Sequence, residues 1–203
     1  MKLERRSFNF EVRAKSAGDR TITGYASVFN SMSEPLGCFG FREVVMPGAF
    51  AESLANTERD VYGLWNHDSN QPLASRTEGS LVLSEDATGL AFEMTLDDTT
   101  WGENAFKAID RGRVRKMSFG FETLTEDWKL IDGEEVRQLI KVCLWEVSPV
   151  VWPAYTDTSA ATRSAIDDLY TRHLAQAGAA SAADKGALEL LLALNTSKQR
   201  RIA

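Results

Sequence analysis

Apolar and polar residues alternate over much of the first three quarters of the chain, and this period of two is typical of half-buried β-strands. At the N-terminus, Phe8, Phe10 and Val12 alternate with polar residues. Asp132-Gly133 is a pair that favours a tight hairpin turn. The pattern predicts further strands at residues 21–29, 60–65, 80–83, 90–96, 114–124 and 136–147.

Two short helices are expected between these strands. One begins at Pro47, a favourable first helical residue, and places Phe50 and Leu54 on one face. The other covers residues 102–110 and ends before Gly112.

The last quarter of the chain has a helical pattern instead. Apolar residues recur at helical spacing over residues 166–174, and residues 188–194 (LELLLAL) predict a second helix. The basic sequence KQRR lies close to the end. We therefore expect a mainly β domain over residues 1–158, followed by a C-terminal helical segment with a basic tail over residues 159–203.

The composition disfavours nucleic-acid binding, membrane insertion and metal binding as functions of the chain. The chain has 29 acidic and 23 basic residues among 203, a net charge of −6, which disfavours a general nucleic-acid binder. No apolar run approaches the roughly 20 residues of a membrane span, and the first residues lack the apolar stretch of a signal peptide. The two cysteines and two histidines show no metal-ligand spacing, so we expect neither a metal nor another cofactor.

His67 is the first candidate for chemistry. It follows the apolar residues 61–65 and opens the polar stretch NHDSNQP, so we expect its imidazole in a loop at the end of a strand. The other interpretation is a loop histidine that bonds to Asp68 or Asn66. The second histidine, His173, lies among helix-forming residues and is expected on a helix surface.

Ser118 stands in the apolar sequence Lys116-Met117-Ser118-Phe119-Gly120-Phe121. In a strand, Ser118 and Gly120 share one face, while the methionine and the two phenylalanines share the other. Because Gly120 has no side chain, there is room beside the Ser118 hydroxyl for another backbone to approach. A structural serine that bonds to a neighbouring strand is the competing interpretation.

Glu146 lies in the apolar sequence VCLWEV, where a carboxylate is costly unless it is paired. A histidine is a natural partner, because the carboxylate can orient the imidazole and stabilise its protonated form. A structural carboxylate that pairs an arginine or caps backbone amides remains possible. His67, Ser118 and Glu146 together make a complete set of base, nucleophile and orienting acid.

The chain also resembles a known family, the prohead (capsid maturation) proteases of tailed bacteriophages. The resemblance covers about residues 5–158 and is carried by an ordered set of motifs. These are GYASVF, Pro47-Gly48-Ala49-Phe50, Trp65-Asn66-His67-Asp68, Gly89-Leu90 after an acidic turn, Met117-Ser118-Phe119-Gly120-Phe121, Glu146-Val147-Ser148 and Pro153-Ala154-Tyr155. The family is similar to herpesvirus assemblin, a serine protease built on a β-barrel ringed by helices.

The resemblance implies a serine endopeptidase with His67 as general base, Ser118 as nucleophile and Glu146 as the third member. It also implies that the major capsid protein and its scaffold segment are the substrates, together with the protease itself. The expected setting is the assembling procapsid in the host cytoplasm, with a protease that associates with itself as a homodimer or larger assembly. Neither a membrane nor specific nucleic-acid sequences are expected partners.

Three alternatives stay open. A non-catalytic capsid-assembly or scaffolding protein could keep the fold without the activity, although it would need none of the three candidate residues. A cysteine hydrolase could use Cys143 with His67, although Cys143 fits a small core residue better. A metalloenzyme is the least favoured, because only one histidine is well placed.

Overall fold

A computed structural model of the chain describes residues 3–16, 20–152 and 160–177. Strands dominate these residues, which confirms the mainly β fold class. The strands are β1 (Glu4–Glu11), β2 (Arg13–Ser16), β3 (Thr21–Val28), β4 (Arg42–Val45), β5 (Tyr62–Trp65), β6 (Asp68–Ser75), β7 (Leu81–Glu85), β8 (Gly89–Thr95), β9 (Lys116–Ile131) and β10 (Glu134–Val150). The helices are α1 (Ala51–Ala55), α2 (Thr100–Asp110) and α3 (Ala160–Ala177).

The strands form two sheets. The first has the order β1-β9-β10-β5-β6, with β4 also paired to β10, and the second has the order β2-β3-β8-β7. Strand β10 is parallel to β4 and β5 and antiparallel to β9. Over the described residues β1 and β6 remain edges of the first sheet, and β2 and β7 remain edges of the second. This differs from the closed barrel that the resemblance implies, because in the described part of the chain β1 does not pair with β6 and β2 does not pair with β7, so neither sheet closes on itself.

The core follows from the alternation along β9. Met117, Phe119 and Phe121 are fully buried, and the Phe119 ring packs against Phe121 and Phe50 with centroids 4.9 Å and 5.4 Å away. Burial of each such side chain contributes about 1.5–3 kcal/mol of transfer free energy. The opposite face of the same strand therefore carries Ser118 and Gly120, as the sequence predicts.

The helices agree with the sequence prediction in place but not in every boundary. Helix α1 begins at Ala51 rather than at Pro47, because Gly48 has a left-handed φ of +87° that a helix cannot include. Helix α2 begins at Thr100, and the hydroxyl of Thr99 caps it by accepting the Gly102 N–H at 3.2 Å.

A cluster of buried charges ties β1 to β4 and β10. Arg137 Nη1 donates to Glu43 Oε2 at 2.8 Å and to Glu4 Oε2 at 2.7 Å. Arg6 Nε donates to Glu43 Oε1 at 2.7 Å. Removing one partner would leave an uncompensated buried charge, which typically costs about 3–5 kcal/mol. This charge cluster therefore fixes the position of β1 at the edge of the first sheet.

Residues 37–39 and α3 belong to a second compact unit. Within this unit the Cys38 N–H donates to Asp167 Oδ1 at 2.8 Å, and the rings of Phe39 and Tyr170 lie 5.0 Å apart. Burial, and then Asp167, raise the pKa of the Cys38 thiol to about 11. The predicted helix at 166–174 is confirmed as part of α3, whereas the predicted helix at 188–194 and the basic tail lie outside the described residues.

His173, on α3, is half-buried with its ring 6.0 Å from that of Tyr170. The expectation that it lies on a helix is therefore confirmed. In the part of the chain that the structure describes, no helix is both long and apolar enough to cross a bilayer.

Candidate active site

His67 lies in a two-residue hairpin turn rather than in a polar loop. Trp65 of β5 pairs with Asp68 of β6, and the two residues between them, Asn66 and His67, have φ values of 51° and 62°. Two consecutive left-handed residues make the primed turn that matches the twist of a hairpin. The predicted loop was wrong, because most of the polar stretch after His67 forms strand β6. Residues with this strained geometry cluster at functional sites.

The turn is bonded to the end of β10. The Asn66 N–H donates to the Pro149 carbonyl at 3.1 Å, and Asn66 Oδ1 accepts the Val151 N–H at 3.0 Å. The His67 N–H donates to Ser148 Oγ at 3.3 Å. These bonds hold the His67 backbone beside the strand that carries Glu146.

Glu146 lies on the face of the first sheet opposite the phenylalanine core. It pairs with Gly120 of β9 on one side and with Tyr62 of β5 on the other. The regular register of β9 and β10 shifts between Leu144 and Glu146, and such bulges re-aim a side chain next to a site. Glu146 is only 4% exposed, and both oxygens of its side chain have hydrogen-bond partners, His67 and Ser148.

The imidazole of His67 and the carboxylate of Glu146 contact each other directly. Nδ1 of His67 lies 2.5 Å from Oε1 of Glu146. A proton on Nδ1 satisfies this contact and leaves the lone pair on Nε2, which is the tautomer a general base requires. The Nε2 atom is buried and has no hydrogen-bond partner among the described residues. The interpretation of His67 as a loop histidine bonded to Asp68 or Asn66 is therefore wrong.

Ser118 is fully buried on the same face of β9 as Gly120. In this conformation its hydroxyl donates to the Arg6 carbonyl of β1 at 2.8 Å. Gly120 is the next residue on this face, and the Glu146 carboxylate lies where a Gly120 side chain would start. Ser118 and Glu146 therefore lie on one face of the first sheet and His67 contacts Glu146, whereas the Ser118 hydroxyl is bonded to β1 and not to His67.

Sequence reasoning missed two residues that touch this site. Ser148 Oγ donates to Glu146 Oε2 at 2.5 Å, and Arg5 Nη2 donates to the His67 carbonyl at 3.3 Å. Ser148 stands two residues after Glu146, so the period of a strand places it on the face of the carboxylate. Arg5 pairs with Gly120 across β1 and β9, which only the strand pairing reveals.

The structure disfavours Cys143 as a nucleophile. Cys143 is buried in β10, and this burial raises the pKa of its thiol despite the opposing charge of Arg59. A thiol with a raised pKa is a poor nucleophile at neutral pH. Among the described residues no three histidine, cysteine or acidic side chains are grouped so that they could hold a metal ion.

A histidine held by a buried carboxylate, on a sheet face that also carries a buried serine, presents the side chains that serine hydrolases use. The family model for the Caudovirus prohead serine protease matches residues 8–171, and the chain belongs to this family. It is also 29% identical to the prohead protease of Enterobacteria phage HK97 over 165 residues, which are 79% of this chain and 69% of that protein. No solved structure matches the chain.

Proposed function

We propose that the chain is a serine endopeptidase in which Ser118 is the nucleophile, His67 the general base and Glu146 the acid that orients His67. The single observation that carries this proposal is the 2.5 Å contact between His67 Nδ1 and Glu146 Oε1 on the face of the sheet that carries Ser118. Membership in a serine protease family supports the same reaction class.

The proposed reaction begins when Ser118 Oγ turns from the Arg6 carbonyl to His67 Nε2. As Oγ attacks the carbonyl carbon of the scissile peptide bond, its proton moves to Nε2. Glu146 stabilises the imidazolium that forms, and Nε2 then delivers the proton to the leaving amine. The acyl group remains on Ser118 Oγ until a water molecule, deprotonated by His67, attacks its carbonyl carbon. The ester bond to Oγ then breaks, His67 returns the proton to Oγ, and the carboxylic acid is released.

Substrate must reach a serine that is buried in this conformation. Because hydrogen bonds at catalytic sites often align only in the complex with substrate, the present bond between Ser118 and Arg6 does not argue against the assignment. Binding of an extended peptide has to open the face above Ser118 before the hydroxyl can turn.

The proposed substrates are the major capsid protein and its scaffold segment, and the protease itself. The name of the HK97 relative, a prohead protease, supports this substrate class. The reaction would then occur inside the assembling procapsid in the host cytoplasm, with the protease self-associated as a homodimer or larger assembly. No sequence-specific nucleic acid takes part in this scheme.

Co-expression with a capsid–scaffold precursor tests the proposal, with mass spectrometry of the fragments as the readout. The wild-type chain should produce defined fragments, whereas Ser118→Ala should leave the precursor intact. Loss of one strand hydroxyl typically costs only about 1 kcal/mol, so the variant should fold. The matched control is Ser27→Ala, since Ser27 is equally buried but its hydroxyl has no hydrogen-bond partner within the described ranges.

Two further measurements separate the alternatives. A fluorophosphonate probe should attach to Ser118 in the wild-type chain, which intact-protein and peptide mass spectrometry can locate. Alkylation of thiols should leave cleavage unchanged, since a cysteine hydrolase would lose it. If the wild-type chain neither cleaves the precursor nor reacts with the probe, the non-catalytic assembly protein becomes the better interpretation.

A further inference from the structure

Ser148 is hydrogen-bonded to both Glu146 and His67. It is fully buried on β10, and its register partner across the sheet is Ser118 of β9. Its hydroxyl donates to Glu146 Oε2 at 2.5 Å, and its oxygen accepts the His67 N–H at 3.3 Å. One hydroxyl therefore contacts both the acid and the backbone of the base.

The two oxygens of Glu146 have different partners. Oε1 faces His67 Nδ1, and Oε2 accepts the Ser148 proton. A hydroxyl carries one proton and two lone pairs. The Ser148 proton goes to the carboxylate, while the Ser148 oxygen accepts the N–H of the base. The Ser148 hydroxyl therefore sets the rotation of the carboxylate around the last bond of the Glu146 side chain.

The backbone contact has a second consequence. His67 has a left-handed φ of 62°, which is uncommon for residues other than glycine and needs support from its surroundings. By accepting the His67 N–H, Ser148 fixes the peptide plane at this strained position. The Ser148 hydroxyl thereby holds both the turn that carries the His67 imidazole and the Glu146 carboxylate.

We propose that Ser148 is a positioning residue, which holds the carboxylate of Glu146 and the turn of His67 in register for proton transfer. The inference rests on the proposed function, because the base and acid have to act for their alignment to matter. Ser148 touches neither the substrate nor the reacting atoms in this scheme, and it acts only through Glu146 and His67.

The test uses Ser148→Ala and Ser148→Cys in the full chain, with Ser27→Ala as the matched control. The alanine variant should lower kcat about 10- to 100-fold, which is the scale of one lost hydrogen bond to a charged group, and should leave KM nearly unchanged. The cysteine variant keeps a side chain close in size with a weak S–H donor, so it should fold and also lose kcat. Ser27→Ala should retain the wild-type kcat.

A spectroscopic readout separates alignment from a merely structural role. In the wild-type chain the Nδ1 proton shared between His67 and Glu146 should give a downfield proton resonance, assigned with nitrogen-labelled histidine. Both Ser148 variants should shift or lose this resonance while circular dichroism remains that of the folded protein. Wild-type kcat together with an unchanged resonance in both variants would overturn the proposal.

Labelling with a fluorophosphonate probe distinguishes failure of this inference from failure of the proposed function. If Ser148 is a positioning residue, Ser148→Ala should still be labelled at Ser118, more slowly than the wild type. Labelling at Ser148 in Ser118→Ala, together with none in Ser148→Ala, would make Ser148 the nucleophile and refute both assignments. Normal labelling of Ser148→Ala at the wild-type rate would refute the positioning role alone.

Discussion

The carboxylate of Glu146 lies directly over the α-carbon of Gly120. The two residues are register partners across β9 and β10, and a Cβ built on Gly120 would meet Glu146 Cγ at 3.0 Å, with Oε1 closer still. A side chain at position 120 would therefore compete with Glu146 for the space beside Ser118. Only glycine at position 120 leaves space for the Glu146 side chain.

Gly120→Ala is expected to displace Glu146 and lower kcat more than it lowers stability. The steric conflict involves the Glu146 side chain, which can move, so the sheet should still form. The measurement is a double-mutant cycle with Glu146→Ala. Once the carboxylate is absent, adding Gly120→Ala should change kcat little. Equal effects of Gly120→Ala in both backgrounds would show that the conflict with Glu146 is not the cause.

Removal of the base and of its acid should affect the reaction differently. His67→Ala should be as inactive as Ser118→Ala, because members of such a unit act non-additively. Glu146→Gln should lose about 10²- to 10⁴-fold in kcat, since an amide disturbs the tautomer but leaves the nucleophile. Cleavage rates for the three variants on one precursor test this order. A fully active Glu146→Gln protein would contradict the role of Glu146 as the orienting acid.

How far the sequence predicts this site depends on whether the relevant signal is local. The alternation of Met117, Phe119 and Phe121 identifies the buried face of β9, and Asp132-Gly133 identifies the hairpin turn, whose φ values of 52° and 83° confirm a primed geometry. Both features depend on residues close together in sequence. The cost of a lone carboxylate in an apolar strand predicts that Glu146 is paired, but the choice of His67 over an arginine or backbone amides depends on the pairing of β5 with β10.

The missed elements depend on partners far away in sequence. Strands β2 and β4 have four residues each, and β4 is defined by parallel pairing with residues 136–139 of β10. Strand β6 is largely polar and contains Pro72, so its composition indicates a loop. The turn at His67 was equally hidden, because histidine occupies the position where glycine is usual. The contact of Arg5 with His67 likewise requires the pairing of β1 with β9.

The charge cluster predicts a stability that depends on acid pH. Burial by itself raises the pKa of Glu4, but Arg6 and Arg137 lower it, and the result is about 2 against an ordinary 4.5. A lowered pKa in the folded state means that Glu4 contributes stability above about pH 4.5, and that this contribution is lost as pH falls towards 2.

Glu4→Gln should therefore lower the free energy of unfolding at neutral pH, and its difference from the wild type should shrink between pH 4.5 and 2. Urea unfolding across this range is the measurement, with the exposed Glu58→Gln as control. A difference that stays constant down to pH 2 would show that folding does not lower the pKa of Glu4.

The C-terminal segment is predicted to serve association rather than the active-site fold. Helix α3 carries Ile166, Leu169, Tyr170 and Leu174, all of them only half-buried in this chain. A chain that ends at Thr158 should keep its β-structure by circular dichroism and lose self-association in sedimentation, while a fluorophosphonate probe should still label Ser118. A shortened chain that fails to fold would assign the helix to the catalytic core.

The two primed hairpin turns differ in what they can accept. The turn at Asp132-Gly133 closes the long β9–β10 hairpin, and its residues are exposed. A peptide epitope or a fluorescent label grafted there would lengthen a solvent-facing tip and leave the first sheet intact. The turn at Asn66-His67 cannot accept an insertion in this way, because it is hydrogen-bonded to Pro149, Val151, Ser148 and Arg5. The hairpin at Asp132-Gly133 is therefore a suitable place for a label that follows the protein during assembly. The hairpin at Asn66-His67 cannot change its length without losing these hydrogen bonds.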